Sequence, residues 1–165
     1  MFDEEGARPP DWEIRMPAGM KVLNANHRMH WGPAATITRA LRQAAWVMLL
    51  QQKIPTLERA YVQAVYCPPD RRVRDAANLQ PTYKALIDGL IAASKEARKQ
   101  QLAGRLRYGL LRDDDDKHLT GPDPRLGEVV KGGQIVLRIW DLSSEADTSA
   151  PDPTSFSDGL TSPEG

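Results

Sequence analysis

Apolar positions along the chain fall into two helical stripes and a few extended runs. From Pro33 to Lys53, Ile37, Leu41, Ala44, Ala45 and Met48 recur at the spacing of one helix face, with Arg39, Arg42 and Gln43 directed away from it. Pro33 suits a first helical turn and Pro55 ends the helix. A second helix opens at Pro81, where Tyr83, Leu86, Ile87, Leu90, Ile91 and Ser94 share a face and a polar extension continues through Lys95, Glu96, Arg98 and Lys99. Tyr61, Val62, Val65 and Tyr66 form a β-rich run that stops at Pro68-Pro69, which predicts a central strand over Glu58 to Cys67. Gln134 to Leu142 alternates Ile135, Leu137 and Ile139 inward against Val136, Arg138 and Trp140, a closing strand after the Gly132-Gly133 turn. Near the start, Trp12 to Met16 and Met20 to Leu23 read as short extended pieces, followed by the polar loop Asn24-Ala25-Asn26-His27-Arg28.

The interleaved order of strands and helices predicts an α+β fold: a single small domain with a mixed sheet of about four strands packed by two main helices. A chain of 165 residues is enough for one adequate core and too short for two ordinary domains. Residues 143–165 are rich in Ser, Pro, Asp and Gly with few apolar side chains, so they do not recover the entropy of ordering; they are expected to be a disordered acidic tail. With residues 1–11 expected to be disordered as well, the folded domain is expected over 12–142. No apolar run is long enough to span a bilayer, no signal-peptide pattern opens the chain, and Cys67 has no partner for an internal disulfide. A cytoplasmic location, without membrane association, is the expectation.

The formal net charge of zero conceals an uneven distribution. Asp3, Glu4, Glu5 and Asp11 oppose only Arg8 at the start, and Glu145, Asp147, Asp152, Asp158 and Glu164 stand in the tail without a base, so the middle of the chain carries an excess of Lys and Arg. A basic globule suits a polyanion, because cationic side chains that neutralise phosphates release counterions. A well-solvated surface accounts for the same charge equally well.

The loop after the central strand reads Pro68-Pro69-Asp70-Arg71-Arg72-Val73-Arg74-Asp75-Ala76-Ala77-Asn78. Arg71, Arg72 and Arg74 beside Asp75 are candidates for phosphate contacts, with a solvated turn as the bland alternative. Asn78 is placed to cap the second helix. The run Asp113-Asp114-Asp115-Asp116-Lys117-His118 is either a solvated loop or a source of the hard oxygen ligands that Mg²⁺ takes. Lys84 and Asp88 lie one turn apart on the second helix, by default a surface pair. His27, His30 and His118 lack zinc-finger spacing, and the absence of a Gly-rich phosphate loop excludes a P-loop hydrolase.

In order, these pieces resemble the RusA-like Holliday junction resolvases, Mg²⁺-dependent dimeric endonucleases of phages and bacteria. The resemblance covers about Leu23 to Leu142. It rests on Leu23-Asn24-Ala25-Asn26 leading into Trp31, Pro68-Pro69-Asp70-Arg71-Arg72, Arg74-Asp75-Ala76-Ala77-Asn78-Leu79, Lys84-Ala85-Leu86-Ile87-Asp88-Gly89-Leu90, the Asp113-Asp114 pair, and Lys131-Gly132-Gly133. It implies a homodimer that cuts four-way DNA junctions in recombination and repair, in the cytoplasm of a bacterial or phage-infected cell. Asp75, Lys84 and Asp114 are the implied catalytic residues. Asp75, Asp113, Asp114 and Asp88 are the implied ligands of Mg²⁺, with Mn²⁺ as the alternative ion. Arg71, Arg72, Arg74, Asn78, Arg28 and Lys117 are the implied DNA contacts.

Two departures from the family pattern stand out. Ala77 occupies the place of the second aspartate in Asp-x-Asp-Asn, and the lysine is displaced to Lys84, with Ser94 to Arg107 reading as an insertion. The rival expectation is therefore a RusA-fold protein that binds DNA but has lost some or all of its cleavage activity.

Overall fold

The structure, a computed structural model, describes residues 8–91, 109–111 and 115–144. In chain order its elements are β1 (Trp12–Arg15), α1 (Trp31–Gln51), β2 (Ala60–Cys67), α2 (Gln80–Leu90), β3 (Leu119–Leu126) and β4 (Gln134–Asp141). A short 3-10 turn, Ala76–Leu79, feeds directly into α2. Together they form one small α+β domain, a four-stranded mixed sheet with two helices. No described helix is long and apolar enough to cross a membrane.

Sheet order is β1-β4-β2-β3. β2 is the central strand, antiparallel to β4 along its whole length and parallel to β3. Parallel pairing cannot be made through a tight turn, so the chain crosses over from the end of β2 to the start of β3, and α2 is the described part of that crossover. Ala60, Val62 and Ala64 of β2, Ile14 of β1 and Leu137 and Ile139 of β4 present one face to the helices. Against it pack Leu41, Ala45 and Leu49 of α1 and Tyr83, Leu86 and Leu90 of α2, which carries out the helical stripes seen in the sequence. On the other face the Tyr61 and Trp140 rings lie 5.2 Å apart, and the Tyr61 hydroxyl donates to Asp123 at 2.8 Å. Burial pushes up the pKa of both Tyr61 and Cys67 on that face.

Several boundaries differ from the sequence expectation. α1 begins at Trp31 rather than Pro33 and stops at Gln51. Met20 to Leu23 joins no strand. Residues 8–11, expected to be disordered, are held against β4: Asp11 N–H donates to Ile139 O and Trp140 Nε1 to Arg8 O. α2 ends at Leu90, where Ile91 turns to an extended conformation, and the expected polar extension and the Ser94 to Arg107 insertion lie outside the described residues. The rest of both expected disordered ends, apart from Ser143 and Ser144, lies outside them too.

β3 is the strand that the apolar pattern does not reveal. Its sequence, Leu-Thr-Gly-Pro-Asp-Pro-Arg-Leu, holds two prolines and a glycine. Proline is tolerated in a strand only where its missing N–H is not needed, and β3 is an edge strand paired to β2 alone. Tyr61 pairs with Thr120 and Gln63 with Asp123, so two residues of β3, Gly121 and Pro122, oppose Val62 as a bulge. Gly121 has φ +101°, and a Cβ there would collide with Val62 O, so the bulge requires glycine.

α1 and α2 approach most closely at Gly89, where a Cβ would run into the carbonyl oxygen of Arg42. Backbone on both sides of this contact leaves nothing flexible to yield. Gly89→Ala is expected to destabilise the domain by about 1–3 kcal/mol through overpacking. Gly32→Ala, in the first turn of α1 with nothing within 4 Å of the new methyl, is expected to be neutral or slightly stabilising. Urea unfolding of the two variants side by side checks this.

Candidate nucleic-acid interface

Asp75 begins the 3-10 turn that leads into α2. Its backbone is extended, and its Oδ1 accepts the Ala77 N–H at 2.9 Å while its carbonyl accepts the Asn78 N–H at 3.2 Å. The turn is braced from below by the Tyr83 hydroxyl, which donates to Ala76 O at 2.8 Å. Burial, above all, raises the Tyr83 pKa far above its ordinary value, with smaller contributions from Tyr66 and Asp75, so this hydroxyl stays a donor. The sequence expectation that Asn78 caps α2 is corrected here. The N-cap position of α2 is Leu79, without a side-chain cap, Asp75 caps the 3-10 turn before it, and Asn78 accepts the Ala25 N–H on its carbonyl at 2.8 Å.

That bond is one of three that draw the early polar loop onto the start of α2. Thr82, fully buried, accepts the Leu23 N–H at 2.6 Å and donates to Leu23 O at 2.7 Å. Downstream, Asn24 Oδ1 accepts the Asn26 N–H at 2.8 Å and Asn24 O the His27 N–H at 3.1 Å. The loop that carries Arg28 and the turn that carries Asp75 and Asn78 thus form one surface, although about fifty residues of chain separate them.

The three arginines of the Asp75 loop do not stand alike. Asp70 is their local anchor: its carboxylate accepts the Arg72 N–H at 3.0 Å and a guanidinium hydrogen bond from Arg74 at 3.0 Å. These partners, the Arg72 amide foremost, hold the Asp70 carboxyl below its ordinary range. The Arg74 side chain is only 26 % exposed, and its Nη1 is buried without a hydrogen-bond partner among the described residues. Arg74 therefore braces the loop from within. Arg71 and Arg72 point outward, with the Arg72 side chain 84 % exposed.

Lys84 stands one turn into α2 on its exposed side, 3.5 Å from Asp88. Asp88 also takes a 2.8 Å ion pair from Arg42 of α1, and its side chain is only 22 % exposed. Between two cations Asp88 is engaged in joining the helices, which is not the setting of an open metal ligand.

Asp113 and Asp114 lie outside the described residues. Their neighbours are firmly placed. Leu110 and Leu111 are in the core, Leu110 N–H donates to Leu90 O at 2.7 Å, and Leu57 N–H donates to Leu110 O at 2.7 Å. On the other side Asp115 accepts the N–H groups of Lys117 and His118, both at 3.1 Å, and pairs with the His118 ring. The His118 ring, more than any other group, keeps the Asp115 carboxyl below its ordinary range. His118 O then accepts the Ala60 N–H, which enters the sheet. Both flanks of the acidic run, and exposed Lys117 with them, thus sit at the C-terminal end of α2. Asp75 lies before its N-terminal end, and the 11-residue helix between them is about 16 Å long.

The described residues therefore join the loop that carries Arg28 to the turn that carries Asp75 and Asn78, with Arg71 and Arg72 exposed just upstream and Lys84 near the start of α2. The other implied ligands, Asp113 and Asp114, lie outside the described residues. Among the described residues no group of three or more His, Cys, Asp or Glu is arranged to hold a metal ion. Sequence reasoning missed the anchoring roles of Asp70, Thr82 and Tyr83. The Asp70-x-Arg72 and Asp70-x-x-x-Arg74 spacings carried a signal for the first, whereas nothing local marks Thr82 as the partner of Leu23. The chain matches no family model and no curated protein.

Thr82→Val keeps the shape of the side chain and removes both bonds to Leu23. The expected cost is about 1–3 kcal/mol, since a part-buried N–H and C=O lose their partner. Unfolding in urea measures that cost, and faster amide exchange at Leu23 and Ala25 reports the release of the loop.

Proposed function

We propose that this protein is a RusA-like endonuclease that binds branched DNA, four-way junctions included, and cuts it by phosphodiester hydrolysis as a homodimer. One observation carries the reading: the Ala25 to Asn78 hydrogen bond joins two of the segments that carry the resemblance, far apart in sequence, into one exposed edge. Outward Arg71, Arg72 and Arg28 are suited to phosphate oxygens, and Arg74, held by Asp70, keeps their loop in shape. Asp75 and Asn78 stand at the centre of this edge, and Lys84, one turn further on, adds positive charge where the scissile phosphate would lie.

Mg²⁺ belongs to the same reading, and the described residues do not complete a site for it. Among the described residues Asp75 is the implied ligand left open, Ala77 offers no ligand where the family pattern has an aspartate, and Asp88 is paired with Arg42 and Lys84. These observations favour a second reading: a RusA-type protein that binds junctions and cuts them weakly or not at all.

A labelled four-way junction and a linear duplex, each with the full-length protein in Mg²⁺ and in EDTA, separate the two. Metal-dependent symmetric nicking that Asp75→Asn and Asp114→Asn abolish, with binding retained, is the expected result for the nuclease. Binding without nicking selects the second reading, and the absence of salt-sensitive binding overturns both. Arg71→Ala and Arg72→Ala are each expected to weaken binding to every DNA probe and to lower the slope of log K against log salt by about 1. Arg74→Ala is expected to lower stability as well, because it leaves Asp70 without its inner partner.

A further inference from the structure

We infer that Trp31, with Met29 beside it, is a stacking shelf for an unpaired nucleobase, an inference that rests on the nucleic-acid reading above and names the form of DNA that the same edge prefers. Trp31 is the first residue of α1 and is 80 % exposed, and Met29 is 44 % exposed. Thr38 and Ala45 follow Trp31 at seven-residue intervals, so all three lie along nearly the same line of the helix. Ala45 on that line is fully buried and Thr38 is half-buried. Trp31 is thus on the core-facing side of α1 but beyond the buried part of that line. Helical side chains lean toward the N-terminus, which aims the indole back over the Asn24 to His30 loop rather than into the protein.

The surroundings of the shelf select its occupant. From Asn24 to Trp31 the chain contains no acid and presents His27, Arg28 and His30, all exposed. The same segment is tied to the Asp75 turn through Ala25 N–H, six residues before Trp31, and Asn78 O. An exposed aromatic face on an acid-free segment that also presents Arg28 fits a base whose phosphate is held by a cation. In paired duplex the bases are already stacked on each other and the shelf stays empty; at a branch point or in a single strand a base is free to occupy it.

The test uses the full-length protein with fluorescein-labelled oligo-dT and a labelled linear duplex of matched length, for wild type, Trp31→Ala and Trp31→Phe. Trp31→Ala is expected to weaken oligo-dT binding at least about fivefold and to leave duplex binding within about twofold, with Trp31→Phe recovering most of the loss. Oligo-dT is also expected to quench part of the wild-type tryptophan emission, a part missing from Trp31→Phe. Unchanged oligo-dT binding by Trp31→Ala overturns the shelf while leaving the nucleic-acid reading intact, and so does an equal loss on both probes. A shift of Trp31→Ala to a smaller species in sedimentation overturns it by showing that the indole contacts a second copy of the chain. If wild type binds neither probe nor the four-way junction, the nucleic-acid reading falls and the shelf with it.

Discussion

The parallel pairing of β2 with β3 is the constraint on which the arrangement of the site depends. Two parallel neighbours need a crossover that returns the chain to the starting edge of the sheet, and here α2 makes the return against the helix-packed face. The segment that leaves β2 and the segment that enters β3 are then obliged to lie at opposite ends of that helix. Asp75 belongs to the first and Asp115 to the second. Of the two acidic elements, the described part of the second, Asp115 and Asp116, is therefore separated from Asp75 by the helix.

At the N-terminal end of α2 the structure concentrates buried polar partners. Thr82 and Tyr83, adjacent in sequence, point their hydroxyls to different clients, Leu23 and Ala76. Each bond satisfies a backbone group that the irregular loop would otherwise leave unpaired, and together they hold two loops in one orientation without a regular ladder. The exposed residues there sit on a scaffold fixed from beneath, and the division of labour among the arginines follows: Arg74 supports, Arg71 and Arg72 reach out.

Toward the C-terminal end, Asp88, an implied metal ligand, pairs across the helix interface. Gly89 lets α1 and α2 approach to backbone contact, and that proximity places Arg42 against Asp88. Lys84 adds a second cation at 3.5 Å. Asp88 and Gly89 thus serve the helix interface, Lys84 stays on the exposed side, and the charge of Asp88 is compensated within the fold.

Much of the architecture was legible from periodicity. The stripes of α1 and α2, the central β2 and the alternation in β4 are properties of local spacing, and burial follows wherever an apolar face finds a partner. β3 was not legible, because its prolines and glycine are tolerated only at an edge, and being an edge is a fact of topology. The candidate residues Asp75, Asn78 and the arginines could be named from the sequence, since charge density and turn chemistry are local. The sequence alone could not say that Asp75 rather than Asn78 caps the turn, that Arg74 faces inward, or that Asp88 is paired across the helix interface. Those depend on which backbone groups and which helix come within hydrogen-bonding distance, and long-range contact is decided only when the chain has folded.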